Sequence, residues 1–132
     1  MMNNYFDKVK SYLLELGLTI QLEDDTDGVF VVESEEDGIK NLVLGIADPL
    51  LIVEQFLVEI NNASAEDYKH LLQKNRDIVH GAFVLDDSGS KVIFRDTLQL
   101  ENLDLNELEA TFNSLSLLLN EYSEELIKLS GK

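Results

Sequence analysis

Apolar side chains near the N-terminus recur at the spacing of one helical face. They lie at i, i+4, i+7, i+8 and i+11, and they are Tyr5, Val9, Tyr12, Leu13 and Leu16. This pattern predicts an α-helix over residues 4–16. Gly17 follows at once and supplies the residue type that commonly ends a helix.

The next three segments have the patterns of strands. In residues 18–22 apolar and polar side chains alternate, which is typical of a strand with one solvent-exposed face. Residues 29–33 and 39–47 are rich in β-formers, and the turn between them contains Gly38, a residue that tolerates the positive φ of tight hairpins. Together these segments predict an antiparallel meander.

Residues 50–60 fit two patterns. Their polar members, Glu54, Gln55 and Glu59, would also cluster on one side of a helix. A turn signal at residues 48–49 precedes the segment, and four of its residues are β-branched: Ile52, Val53, Val58 and Ile60. We predict a strand, with a helix as the alternative.

A helix and a hairpin are predicted next. Ser64 and Asp67 form a capping-box pattern, so a short helix should run to about residue 77 with Tyr68, Leu71 and Leu72 on its buried side. Residues 79–85 and 91–100 are strand-like on either side of a turn at residues 86–89.

The last segment predicts one long helix over residues 104–130, because it contains neither Gly nor Pro. Its apolar residues follow a heptad rhythm, and they are Leu105, Leu108, Phe112, Leu115, Leu119, Tyr122, Leu126 and Leu129. Packing on the protein's own sheet is the favoured interpretation of this seam. A partner or dimer interface is the alternative, with Leu108, Phe112, Leu115, Leu119 and Tyr122 as its candidates.

The element order predicts an α+β fold, formed as a single domain by residues 1–132. Its antiparallel sheet should have about five to six strands, with an N-terminal helix, a short middle helix and a long C-terminal helix. Hydrophobic residues make up 45% of the 132 residues, which is enough apolar material for one core.

Charge narrows the choice of partner. The chain has 10 Lys and Arg residues against 26 Asp and Glu, a net charge of −16 that would repel nucleic acid and anionic membranes. The N-terminus lacks the basic start and apolar run of a signal peptide, and no stretch of 18 uncharged apolar residues occurs. We therefore expect a cytoplasmic protein that binds another protein.

Residue types that carry chemistry are sparse. There is no cysteine, and His70 and His80 are the two histidines. Glu23, Asp25, Asp27 and Gly28 imitate the start of a calcium loop, but Ser34 stands where its bidentate Glu is required. No phosphate loop or nucleophile elbow is present. We predict no catalytic residue, cofactor or metal site.

A family resemblance rests on the second half of the chain. Leu71-Leu72-x-x-Asn75, the following hairpin and the closing helix resemble the Leu-Leu-x-x-Asn helix, hairpin and terminal helix of type III secretion (Tir/CesT-type) chaperones. That superfamily also includes YbjN-like bacterial proteins. With the first helix and meander in the same order, the resemblance covers nearly the whole chain as architecture.

The resemblance implies a non-catalytic, usually dimeric protein whose relatives hold an extended client segment. Leu71 and Leu72 would anchor their helix to the sheet, and Asn75 would cap the helix end or bond the following loop. Apolar sheet and helix surfaces would hold the partner polypeptide. The alternative function is that of a YbjN-like regulatory or small-ligand-sensing domain without a secretion client.

Overall fold

The computed structural model describes residues 2–132, with side chains from Tyr5 onward; Met1 of the predicted domain lies outside the described residues. The elements in chain order are α1 (Met2–Glu15), β1 (Thr19–Asp24), β2 (Val29–Ser34), β3 (Ile39–Ala47), β4 (Leu50–Glu59), α2 (Ala65–Asn75), β5 (Ala82–Leu85), β6 (Lys91–Gln99) and α3 (Leu105–Ser130). A short 3₁₀ turn at Glu35–Asp37 joins β2 to β3. The predicted α+β class is confirmed, and residues 50–59 form a strand.

All strand pairs are antiparallel and build one six-stranded sheet in the order β1-β2-β3-β4-β6-β5. The meander β1 to β4 is continuous, because β-hairpin turns connect neighbouring strands. Helix α2 then carries the chain past β4, so that β6 pairs with β4 and β5 becomes an edge strand. Among residues 2–132, no helix combines the length and apolarity that crossing a bilayer would need.

The three helices pack against a single face of this sheet. Their buried side chains join those of the sheet in one core cluster. The rings of Phe6 in α1 and Phe30 in β2 stack with their centroids 4.3 Å apart. Leu108 and Leu115 of α3 are fully buried in the same cluster. The fold is therefore two layers, helices on sheet.

Two buried polar side chains fix local geometry in this core. The amide of Gln55 in β4 donates to the carbonyl of Gly38 at 3.1 Å and accepts from the Lys40 N–H at 3.0 Å, which holds the start of β3. Thr111 of α3 donates its hydroxyl to Asp96 of β6 at 2.7 Å. Since buried polar groups cost free energy when unpaired, these bonds fix the register of α3 and β3 on the sheet.

The structure places the heptad seam of α3 mainly on the protein's own sheet. Leu108, Phe112, Leu115, Leu126 and Leu129 are buried, and Leu118, which lies beside the heptad positions, is buried with them. Leu119 and Tyr122 are half-buried at the margin of the core. The favoured interpretation of the seam, packing on the protein's own sheet, therefore holds.

Strand β5 begins at Ala82, and the prediction of strand from residue 79 was wrong. Gly81 adopts a φ of +83°, a left-handed conformation that interrupts an extended chain. A Cβ at this position would lie 2.5 Å from the ring of Phe94. The chain thus needs glycine here to pass the core, and the strand starts only after it.

We expect Leu115→Ala to lower the free energy of unfolding by about 2–5 kcal/mol, because it leaves a cavity under α3. Leu117→Ala on the same helix is the matched control, since Leu117 is 66% exposed and should change stability by less than about 0.5 kcal/mol. Urea denaturation followed by circular dichroism measures both. Equal losses would contradict the placement of the seam on the sheet.

Candidate partner-binding surface

The face of the sheet opposite the helices carries apolar side chains that no other part of the described chain covers. Because side chains alternate along each strand, the neighbours of the core residues Phe30 and Phe94 point to this side. We call it the open face. Its apolar residues come from all six strands and are Leu22, Val29, Val31, Val43, Ile52, Phe56, Ile93 and Val84.

The largest exposed side chain on the open face is Phe56, which is 52% exposed in β4. It lies directly across from Ile93 of β6 in the strand register. Val43 and Leu22 are also exposed, on the neighbouring part of the sheet. Exposed apolar side chains gathered on one face of a sheet are typical of contact sites for other molecules.

One ion pair interrupts the apolar character of the open face. Glu54 of β4 and Arg95 of β6 are cross-strand partners, and the Arg95 Nη1 lies 2.6 Å from Glu54 Oε2. Both side chains are more than one third exposed, so the pair contributes at most about 1 kcal/mol to stability.

A second apolar surface lies where α2 meets the edge strand β5. We call it the corner; it consists of Tyr68 and Leu72 of α2 with Val84 and Leu85 of β5, around a shallow cavity of about 290 Å³. Leu72 is 70% exposed, so the prediction that it belongs to the buried side of α2 was wrong. Successive helical residues are about 100° apart, and Leu71 is the one that faces the core.

Asn75, at the end of α2, joins this helix to the edge of the sheet. Its Nδ2 donates to the Phe83 carbonyl at 3.1 Å, and its Oδ1 accepts from the Phe83 N–H at 2.7 Å. The side-chain amide thereby occupies the place that a neighbouring strand would take. At Phe83, the β5 edge is closed to strand addition.

A groove of about 250 Å³ separates α2 from the C-terminal half of α3. Two ion pairs cross it: Lys74 to Glu125 at 3.1 Å, and Lys132 to Asp67 at 2.8 Å. The hydrogen bonds from Lys132 and from the Ser64 N–H hold the pKa of Asp67 at about 2, so this carboxylate is charged at neutral pH. The floor is apolar, formed by Leu71, Phe83, Tyr122, Leu126 and Leu129.

Four of the five seam candidates for an interface lie apart from these surfaces. Leu108, Phe112 and Leu115 sit beneath α3, where a partner could contact them only if the helix left the sheet. Leu119 is half-buried, and Tyr122 lines the groove. Sequence reasoning expected an apolar sheet surface but named no residue of the open face, although residues 29–32 and 50–53 are apolar in both phases of the alternation, a signal that both faces of a strand meet apolar surroundings.

Neither histidine forms a catalytic arrangement with other residues that the structure describes. His70 lies 3.5 Å from Glu66 on the exposed side of α2, and the backbone carbonyl of His80 accepts a hydrogen bond from Ser114. In the loop that imitates a calcium site, the Asp24 Oδ1 accepts hydrogen bonds from the N–H groups of Thr26 and Asp27, which shapes a hairpin turn. Within residues 2–132, no group of three or more His, Asp or Glu comes together as a metal site.

Comparison with known proteins gives one family and a set of similar folds. The CesT_Tir_1 family model matches residues 2–132. Similar solved structures include a chain of the HopA1–SchA chaperone–effector complex, with 16% identity, TM-score 0.68 and coverage of 94% of this chain and 98% of that chain. No curated protein matches the sequence.

Two further solved structures share the fold. One is a chain of the heterodimeric ExoU–SpcU complex of the Pseudomonas aeruginosa type III secretion system, with 16% identity, TM-score 0.71 and coverage of 94% and 99% of the two chains. The other is YbjN from E. coli, with 14% identity, TM-score 0.69 and coverage of 91% and 92%. At these identities the likeness concerns the fold.

Replacing Asn75 tests the closure of the β5 edge. We expect Asn75→Ala to lower the free energy of unfolding by about 1–3 kcal/mol, because it leaves the Phe83 N–H and carbonyl without their partner. Amide hydrogen exchange at Phe83 should become faster. Gln73→Ala, an exposed position on the same helix, should change neither quantity. Unchanged protection of Phe83 in the Asn75 variant would refute the closure.

Proposed function

Because this chain belongs to the CesT_Tir_1 family of CesT/Tir chaperone-like proteins, we propose that it holds a partner polypeptide on the open face of its sheet. The family is non-catalytic, and this chain is not an enzyme. The single observation that carries the proposal is the uncovered apolar side of the sheet, where Phe56 and Val43 are exposed. A folded monomer gains nothing by leaving these side chains in water.

The relatives support a polypeptide as the partner. The SchA structure is of a chaperone–effector complex, and the SpcU structure is of a heterodimer with ExoU. We propose that this chain likewise binds a client protein, and that the bound part is an extended segment rather than a folded domain. Such a segment can follow the strands and place alternate side chains on the apolar rows of the open face.

Charge and strand edges narrow the nature of the client. The chain carries a net charge of −16, which attracts basic segments. Strand β1 is the edge at the far side from β5, and it ends in Glu23, which is paired with Lys10, and Asp24. Since Asn75 closes β5 at Phe83, we propose that strand addition takes place along β1. The predicted cytoplasmic location stays a prediction.

Phe56→Lys tests the open face. Once the partner has been captured from the native host and purified as a complex, this change should weaken its affinity by at least about tenfold, the usual effect of losing a buried aromatic anchor. Isothermal titration calorimetry measures the affinity. Leu117→Lys, on the outer side of α3, is the control and should bind like the parent protein. Full affinity in the Phe56 variant would exclude the open face as the binding surface.

We also propose that the chain forms a homodimer through the corner. The corner combines exposed Leu72 and Leu85 with Tyr68, and the core residue Phe83 also lines its apolar cavity. Leu108, Phe112 and Leu115 are buried beneath α3 and are thus replaced as interface candidates by these residues. A two-fold axis beside α2 would bury Leu72 against its own copy.

Leu72→Glu should dissociate this dimer. A carboxylate next to the symmetry axis meets its own copy and loses the apolar contact, so the dimer dissociation constant should rise at least about tenfold. Sedimentation equilibrium over a range of concentrations measures it, with Leu117→Glu as the matched control. If the parent protein is monomeric throughout, or if the Leu72 variant stays a dimer, the corner is not the interface.

A further inference from the structure

The groove between α2 and α3 has a defined centre. Asp67 pairs with Lys132 at one end, and Lys74 pairs with Glu125 at the other, so the two helices run antiparallel there. The two ion pairs are separated by seven residues of α2, which corresponds to about 10 Å along the helix. His70 and Lys128 occupy the middle of this interval, one on each wall.

The lining of this groove has more cationic than anionic side chains, although the chain as a whole is strongly acidic. Lys74, Lys128 and Lys132 line it together with His70, against the two carboxylates of Asp67 and Glu125. The carboxylates that line the groove, Asp67 and Glu125, are each paired with a lysine. Among the described residues Lys128 has no ion-pair partner, and the imidazole of His70 lies next to Glu66 on its own helix.

Below these cations the groove is apolar. Leu71 and Phe83 form its floor with Tyr122, whose ring lies 5.4 Å from the Lys74 Nζ. The volume of about 250 Å³ is slightly smaller than the range of about 300–1,000 Å³ typical of small-molecule sites. The groove therefore suits a small molecule with one anionic group and a short apolar body.

We propose that this groove binds a small amphipathic carboxylate of the fatty-acid type. The carboxylate lies between Lys128 and His70, where it accepts charge-assisted hydrogen bonds, and the acyl chain lies on Phe83 and Tyr122. A cationic amphiphile would be repelled by Lys128, and inorganic phosphate would leave the apolar floor in water. Charge complementarity thus selects the anionic amphiphile among these ligands.

Octanoate is the probe that tests this site, with octanol and octylammonium as neutral and cationic probes of equal chain length. Amide chemical shifts of the ¹⁵N-labelled full chain should move saturably on α2, β5 and the end of α3 with octanoate. The affinity for octanoate should exceed that for octanol by about tenfold, the effect of a hydrogen bond to a charged group. Octylammonium should bind more weakly than octanol.

A matched pair of variants locates the carboxylate. Lys128→Gln should weaken octanoate binding by about tenfold and leave octanol binding unchanged, whereas Lys69→Gln on the outer side of α2 should affect neither. Both positions are exposed, and circular dichroism verifies that the variants are folded. Equal affinities for octanoate and octanol, an unaffected Lys128 variant, or shifts confined to other surfaces would each overturn the proposal.

This site is separate from the surface proposed for the polypeptide. The groove lies on the helical side of the sheet, and Phe56 lies on the opposite side. Failure of octanoate to bind would leave the Phe56 experiment unaffected. Full partner affinity in the Phe56 variant would likewise not change the octanoate titration. The two experiments therefore report on different parts of the molecule.

Discussion

Burial of one sheet face beneath three helices is the constraint on which the rest of this structure depends. Leu108 and Leu115 of α3 and the stacked Phe6–Phe30 pair remove that face from water. The polar contacts within the layer, Gln55 to the turn at Gly38 and Thr111 to Asp96, then fix where α3 and β3 lie. Hydrophobic burial supplies the stability, and the hydrogen bonds supply a unique register.

The same constraint leaves the second face of the sheet without cover. Three helices suffice for one layer, and the described chain has no further element to place on the other side. The strands nevertheless carry apolar residues in both phases, so Phe56, Val43 and Leu22 meet solvent. A sheet that is apolar on both faces but covered on one leaves apolar side chains in solvent, and this is the physical basis of the binding function proposed here.

The two edge strands of the sheet, β1 and β5, also differ from each other in their side-chain contacts. Asn75 pairs with the backbone of Phe83 and protects β5, whereas β1 at the other edge has acidic neighbours and no such side-chain partner among the described hydrogen bonds. Lys74, Lys128 and Lys132 line the groove between α2 and α3, whereas Glu23 on β1 is paired with Lys10. The proposals for a bound polypeptide and for a small anion therefore concern different parts of the molecule.

The sequence by itself determined the elements, the fold class and the family resemblance. Heptad spacing predicted α3, Ser64 with Asp67 predicted the start of α2, and β-branched residues correctly favoured a strand at residues 50–59. These features are local, since periodicity and capping depend on residues a few positions apart.

Only the tertiary structure decided which surfaces are free. The apolar residues of the seam and of the open face look alike in sequence, but Leu115 is buried and Phe56 is exposed because the helices cover one side of the sheet. Leu72 points outward because Leu71 occupies the direction of the core, and β5 begins only after Gly81, whose backbone lies against the Phe94 ring. Burial is set by contacts between residues distant in the chain, and no local pattern specifies them.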